Sequence, residues 1–328
     1  MKKIFIRSPY FIEVDEPGQS NAKIEIFLWN KGTTEPTIPN YTLTKSIASP
    51  TQTLIAWNVS NFAKEFIKPI APGSITTEEE DLQTWCYMRV VSYSNNEEVN
   101  DETFVCLNGY TQYLEGYNQS ITSSTSSTVL LVNPNIKFYK NDTIYVNVFF
   151  DAGFHFIDWY GYYSLEIELE EPTLYKIVLS EDVVLIDGIS VKSEEICENI
   201  YTPITCTFIN RFGGWQYLTF FKANQQGIDI TSKDYNLLHS SIDYNVLQGQ
   251  KQRFNFQGKQ KIKCNTGWVD ENYSELIQDL LLSEVVLLDN KPAIVKSQSA
   301  DIKTHLKDKN INYEIDFEYN YGLINDVI

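Results

Sequence analysis

The stretch Asn210-Arg211-Phe212-Gly213-Gly214-Trp215 constrains the fold more than any other part of the chain. Ile204-Thr205-Cys206-Thr207-Phe208-Ile209, a run of strand formers, precedes it, and Tyr217, Leu218, Thr219, Phe220 and Phe221 follow. Paired glycines between two such runs supply the positive φ angles of a tight reversal. Lacking Cβ atoms, they also let Phe212 and Trp215 lie close over the backbone. The segment reads as a hairpin turn, placed either in a sheet core or at a contact with a neighbouring molecule. Arg211, Phe212, Gly213, Gly214 and Trp215 are therefore the first candidates for an assembly interface.

Strand signals dominate elsewhere. Lys23 to Trp29 begins as an alternating strand between turn residues Glu16-Pro17-Gly18 and Asn30-Lys31-Gly32. Leu107-Asn108-Gly109-Tyr110 and Val183 to Val191, with Asp187-Gly188 at its centre, carry the preferred two-residue hairpin signals. Ser164 to Glu170 alternates apolar with acidic, and Ile311 to Tyr321 alternates apolar with Asn, Glu or Asp most clearly of all. An aromatic share of 14%, mostly Tyr and Phe, suits pleated, half-buried surfaces. Short strands divided by such turns predict a mainly β chain of two β-sandwich-like domains with one or two short helices. One helix is expected from Asn61 to Lys68, stopped by Pro69. A better one covers about 270–283, with Asn272 as cap and Tyr273, Leu276, Ile277, Leu280 and Leu281 as its buried face. Ser120 to Thr128 reads as a long surface loop. The division between domains is placed after Glu171, giving 1–171 and 172–328.

Charge narrows the partners. With 26 basic and 43 acidic residues the net charge is −17, a surface that repels nucleic acid and anionic membranes at long range. No apolar run approaches the roughly 20 residues of a membrane span. The opening Met1 to Arg7 mimics a signal peptide, but Arg7, Pro9, Glu13, Asp15 and Glu16 interrupt it, so mature protein is expected from the start. Five cysteines in 328 residues suit reduced thiols, not a disulfide framework.

Chemistry-bearing patterns are sparse. His155, His239 and His305 share no metal-ligand spacing, and Cys197 and Cys206 stand too far apart for a zinc knuckle. There is no Gly-x-Ser-x-Gly, and Gly258-Lys259 is followed by Gln260 where a phosphate loop needs Ser or Thr. A glycosidase carboxylate pair needs a separation that sequence does not reveal. No catalytic, cofactor-binding or metal-binding residue is assigned, and the chain reads as a non-enzyme. His155 and Asp158 sit among Phe154, Phe156, Trp159, Tyr160, Tyr162 and Tyr163. That cluster is either a core strand and turn with one satisfied histidine, or a functional site in which His155 and Asp158 act as an acid/base pair or the aromatics form a platform for sugar rings.

One segment opposes the overall charge. Lys251 to Lys263 holds five basic residues and no acidic one. Read as a hairpin turning at Gln257-Gly258, it places Lys259, Lys261 and Lys263 on one face. Glu314, Asp316 and Glu318 of the C-terminal alternating run are its mirror in charge. The two meet either within one sheet, as cross-strand pairs, or between subunits, where complementary charge sets register.

Three blocks together resemble proteins of the ring-stacked tail or neck of crAss-like bacteriophages of gut Bacteroidetes. They are Arg7-Ser8-Pro9-Tyr10-Phe11-Ile12-Glu13-Val14 running through Ile24 to Trp29, Cys206 to Phe221, and Asn265-Thr266-Gly267-Trp268-Val269 through the helix to about Tyr321. The resemblance implies a virion structural protein, assembled in the host cytoplasm as a homo-oligomeric ring without a cofactor. It implies contacts with other tail, neck or portal-proximal proteins and passage of genomic DNA without specific binding. The alternative expectation is a carbohydrate-binding receptor module at the tail periphery, using the 154–163 aromatics. A glycan-degrading tail enzyme comes third.

Overall fold

The computed structural model describes residues 1–47, 53–70, 84–116, 118, 127–139, 144–159, 163–179, 183–196, 200–238, 247, 249–297 and 311–324. The chain is mainly β and divides into two compact units. The first comprises Met1–Cys197, Thr207–Leu218 and Leu282–Glu284; the second comprises Glu198–Cys206, Thr219–Leu281 and Val285–Ile328.

Two layered cores make up the first unit. Strands β1 (Lys2–Phe5), β3 (Asn21–Trp29), β4 (Tyr41–Ser46), β6 (Trp85–Ser94) and β7 (Glu97–Leu107) form a sheet in the order β1-β7-β6-β3-β4. β2 (Phe11–Val14) and β5 (Ile55–Asn58) form a small second sheet. Alternation buries Ile24, Ile26, Leu28, Met88 and Val90 from the large sheet in one cluster with Ile12, Val14, Ile55 and Trp57 from the small one. The expected helix at Asn61 is a short 3-10 helix, Ser60–Glu65, that adds Ala63 to this core.

The second core lies between two further sheets. β8 (Ser127–Val129), β10 (Ile144–Phe150) and β13 (Thr173–Leu179) pair in the order β13-β10-β8. β9 (Asn135–Tyr139), β11 (Gly153–Trp159), β12 (Tyr163–Leu169), β14 (Val183–Ile186) and β15 (Ile189–Ile196) pair in the order β12-β11-β14-β15-β9. Val146, Val148, Ile177 and Leu179 share one cluster with Ile157, Trp159, Val184, Ile186 and Val191. Because β13 pairs with β10 along its whole length, from Ile144 opposite Leu179 to Phe150 opposite Thr173, a division after Glu171 would cut this sheet. The expected boundary is corrected accordingly: the first continuous segment runs to Cys197.

A seven-stranded sheet organises the second unit. The sheet's strands are β16 (Ile204–Ile209), β17 (Trp215–Phe220), β18 (Gln225–Asn236), β19 (Lys251–Val269), β20 (Val286–Leu288), β21 (Lys291–Val295) and β22 (Ile311–Gly322), in the order β17-β16-β20-β21-β22-β19-β18; of β16 and β17, the residues Thr207–Ile209 and Trp215–Leu218 are counted with the first unit. The helix expected near 270–283 is α1 (Tyr273–Leu282), and it buries Tyr273, Leu276, Ile277 and Leu280 as its spacing requires. No helix among the described residues is long and apolar enough to cross a membrane.

Candidate assembly surface

Each group of candidate residues has a definite place. Gly213 and Gly214 do close the β16–β17 hairpin: Asn210 N–H donates to Gly214 O at 2.9 Å and Gly213 N–H to Asn210 O at 3.0 Å, with Gly213 at φ +83°. The tip is docked inside the first unit. Asn210 is fully buried; its Nδ2 donates to Leu130 O at 2.8 Å and its Oδ1 accepts from Phe212 N–H at 3.0 Å and Gly214 N–H at 3.2 Å. Trp215, also buried, donates its backbone N–H to Asn147 Oδ1 at 2.8 Å. A Cβ on Gly214 would stand 2.5 Å from Leu130 O. The glycines thus serve close approach as much as turning.

Of the two readings of this turn, the core one describes what is seen. Gly213, Gly214 and Trp215 offer no free surface, so they are withdrawn as interface residues. Arg211 and Phe212 are half-buried, with Arg211 ion-paired to Glu115 at 3.2 Å and Phe212 near the Phe5 ring.

The basic and acidic segments meet within one chain. Residues 251–263 do not form a hairpin; β19 runs unbroken through Gln257-Gly258 and carries only a bulge, with Asn255 at φ +51°. It pairs with β18 from Lys251 to Lys263 and with β22 from Lys259 to Val269, with Lys261 opposite Glu318 and Lys263 opposite Asp316. Lys259 reaches Glu318 at 3.0 Å, Lys263 reaches Glu314 at 2.6 Å, and Lys261 bonds Asp229 of β18. Lys296 also holds Glu318 at 3.3 Å, although Glu318 is only 5% exposed. The cross-strand reading describes this arrangement, and the lysine face is already neutralised inside its own sheet.

These pairs make the second unit sensitive to pH in both directions. The bond from Lys259 holds the Glu318 carboxyl below its ordinary range, and the bond from Lys263 does the same to Glu314. Depressed acids contribute stability above their unfolded value of 4.5, and that stability is lost as pH falls through the folded values. Conversely, Asp229 and Glu314 raise Lys261 and Lys263, so their contribution is full below 10.5 and is lost at higher pH. Thermal melts should hold steady from about pH 7 to pH 5 and drop below about pH 4. A chain with Lys259→Gln and Lys263→Gln should show a shallower acid drop. An equally steep one would contradict this assignment.

The aromatic cluster splits by strand alternation. His155, Ile157 and Trp159 point inward, whereas Phe154 and Phe156 are exposed and stand across from Glu168 and Glu166 of β12. His155 Nδ1 meets Asp187 Oδ2 at 2.8 Å and its Nε2 meets Asp151 O at 2.7 Å, so both ring nitrogens are partnered. Tyr160, Tyr162, His239, His305, Cys197 and most of the Ser120–Thr128 loop lie outside the described residues. The other four cysteines are buried and free, and burial pushes the Cys106 and Cys206 thiols well up and that of Cys264 up to about 12.

Sequence reasoning missed the most exposed element. β18 is an edge strand with nearly every residue exposed, and β22 does not extend along β19 past Lys259. Residues 231–236 and 251–257 therefore form a two-stranded ribbon standing clear of the sheet. Ile228, Ile230, Tyr235, Phe254 and Phe256 are all exposed along the β18–β19 pair. Alternation in Gln225 to Asn236 is weak because Gly227, Thr231 and Ser232 dilute it. The signal that could have revealed it was Ile228-Asp229-Ile230 with an apolar-basic partner run at 251–263.

No family model, no curated protein and no solved structure matches this chain.

Proposed function

We propose that this chain is a structural, self-assembling virion protein that forms a closed ring in a bacteriophage tail or neck and stacks on neighbouring rings around the DNA channel. The observation that carries the self-assembly reading is the β18–β19 ribbon, with its open edge and exposed Ile228, Ile230, Tyr235, Phe254 and Phe256. A two-stranded ribbon is marginal in water by itself, and an open apolar edge is an invitation to pair. The resemblance of the three sequence blocks supplies the phage setting. The net charge of −17 would let a genome pass without adhering, with Glu166 and Glu168 as exposed acids available to a channel wall. Neighbouring tail, neck or portal-proximal proteins are the other partners, in the virion and away from membranes.

Negative-stain imaging of the purified chain should show closed rings of many copies; uniformly single particles would reject the proposal. A carbohydrate-binding module is the second reading, favoured by the exposed Phe154 and Phe156 beside two carboxylates. On that reading a glycan array retains the chain and loses it on Phe154→Ala and Phe156→Ala. The ring reading expects no retention by either form.

A further inference from the structure

β18 ends the second unit's sheet, so one side of its backbone faces no other strand among the described residues. The irregularity in its pairing falls on the other strand: Thr231 to Lys233 is matched by Gln257 to Phe254, so the extra residue sits in β19 and β18 stays regular. Natural edge strands are commonly protected by inward charges, prolines or bulges of their own. β18 has no proline, and its bulge lies on the strand behind it. What remains is a 12-residue open edge with Ile228 and Ile230, 60% and 68% exposed, on one face.

The charges of this strand are self-complementary. When two copies of one strand pair antiparallel and extend one sheet, opposed residues must lie on the same face, so only even offsets are allowed. Asp229, Lys233 and Asp234 are the charged residues of β18, and only Asp229 and Lys233 form a same-face pair of opposite sign. A two-fold axis at Thr231 sets Asp229 of each copy against Lys233 of the other. An axis at Asp229 or at Lys233 would oppose like charges instead. Lys233 is exposed and in no ion pair among the described residues, while Asp229 already accepts Lys261 from within its own sheet. In the same register Ile230 faces Ser232, and the two Ile230 side chains become diagonal neighbours across the axis, which covers the more exposed of the two isoleucines.

We infer that two copies of this chain join through their β18 edges, antiparallel and centred on Thr231, with Asp229 and Lys233 paired twice across the seam. The inference rests on the self-assembly reading only in taking the partner to be a second copy. The contact is isologous, so it joins copies two by two. In a ring-forming protein it adds a two-fold link to whatever heterologous faces close the ring.

The test uses the full chain and four variants, each checked for wild-type circular dichroism. Thr231→Cys places a thiol on the axis, and mild oxidation at tens of micromolar should convert most of the chain to a reducible dimer. Wild type has five cysteines of its own and sets the background, with Glu97→Cys as an exposed control. Lys233→Asp should weaken self-association at least about tenfold by turning two attractions into two repulsions. The exchange Asp229→Lys with Lys233→Asp should restore it to within about threefold. Cross-linking of Thr231→Cys no greater than the control, or an unchanged constant for Lys233→Asp, overturns the contact. Rings that form with that result leave the ring reading standing without it. A linked dimer that obeys the charge pattern but never builds a ring upholds the contact and removes the ring. A chain that stays single in every form rejects both.

Discussion

Replacing Asn210 by alanine should lower the stability of the first unit by about 3 kcal/mol, and Gly214→Ala should do comparable damage by another route. Asn210 is fully buried and serves three backbone groups at once, the carbonyl of Leu130 and the N–H groups of Phe212 and Gly214. Alanine leaves the Leu130 carbonyl and the Gly214 N–H unpartnered in a buried site and the Phe212 N–H in a half-buried one, and each missing buried partner costs roughly 1–3 kcal/mol before relaxation. Gly214→Ala keeps the hydrogen bonds but drives a methyl to 2.5 Å from Leu130 O and from Leu130 Cβ. Backbone cannot yield as a flexible side chain can, so the tip must lift from its seat. In a melt each change should move the transition of the first unit down by roughly 6–12 °C. Gly227→Ala is the control: nothing lies within 4 Å of the added atom, and the change should stay within about 0.5 kcal/mol. Equal effects at Gly214 and Gly227 would mean that the hairpin tip is not docked.

The second large effect concerns Lys3. Its side chain is 2% exposed and its ammonium lies 2.9 Å from Asp151 Oδ2, with the Phe149 ring beneath at 5.4 Å. This pair ties β1 of the first core to the β10–β11 turn of the second. Asp151→Ala strands the ammonium and should cost about 3 kcal/mol, the lower end for a broken buried pair because Asp151 is 30% exposed. Adding Lys3→Met, which fills the site with an unbranched apolar chain of similar length, should recover most of the loss. Urea melts of the two chains decide it. A double variant no more stable than Asp151→Ala would show that packing around Lys3, not its charge, carries the loss.

Much of this architecture could be read from the residues, and the failures have identifiable causes. Alternation placed β12 and β22, and Asp187-Gly188 closes the β14–β15 hairpin with both residues at positive φ, 45° and 84°. Asn108-Gly109 carried the same signal, yet no strand follows it over the described residues 110–116; Tyr110 N–H instead donates to Arg211 O of the hairpin tip, and a Cβ on Gly109 would fall 2.3 Å from that oxygen. The real β6–β7 turn is Asn95-Asn96, at φ 48° and 72°, and the β20–β21 turn is Asp289-Asn290, at 47° and 62°. Asparagine tolerates the left-handed region without advertising it as glycine does. Gly258 misled in the opposite sense, as a glycine inside a continuous strand where Leu323 comes close. The charge relation of Lys259 and Lys263 to Glu318 and Glu314 was legible, but whether it closes within or between chains depends on strand order, which periodicity does not encode. The boundary near Cys197 was hidden for the same reason, since the pairing of β13 with β10 leaves no mark in composition.

Self-association at an open β edge is the idea on which the functional proposal turns. Sedimentation velocity of the full chain across a hundredfold concentration range tests it most directly. Species of several copies are expected, closing to one discrete large assembly at the top of the range. A single sharp boundary at the mass of one chain, unchanged at every concentration, would contradict it.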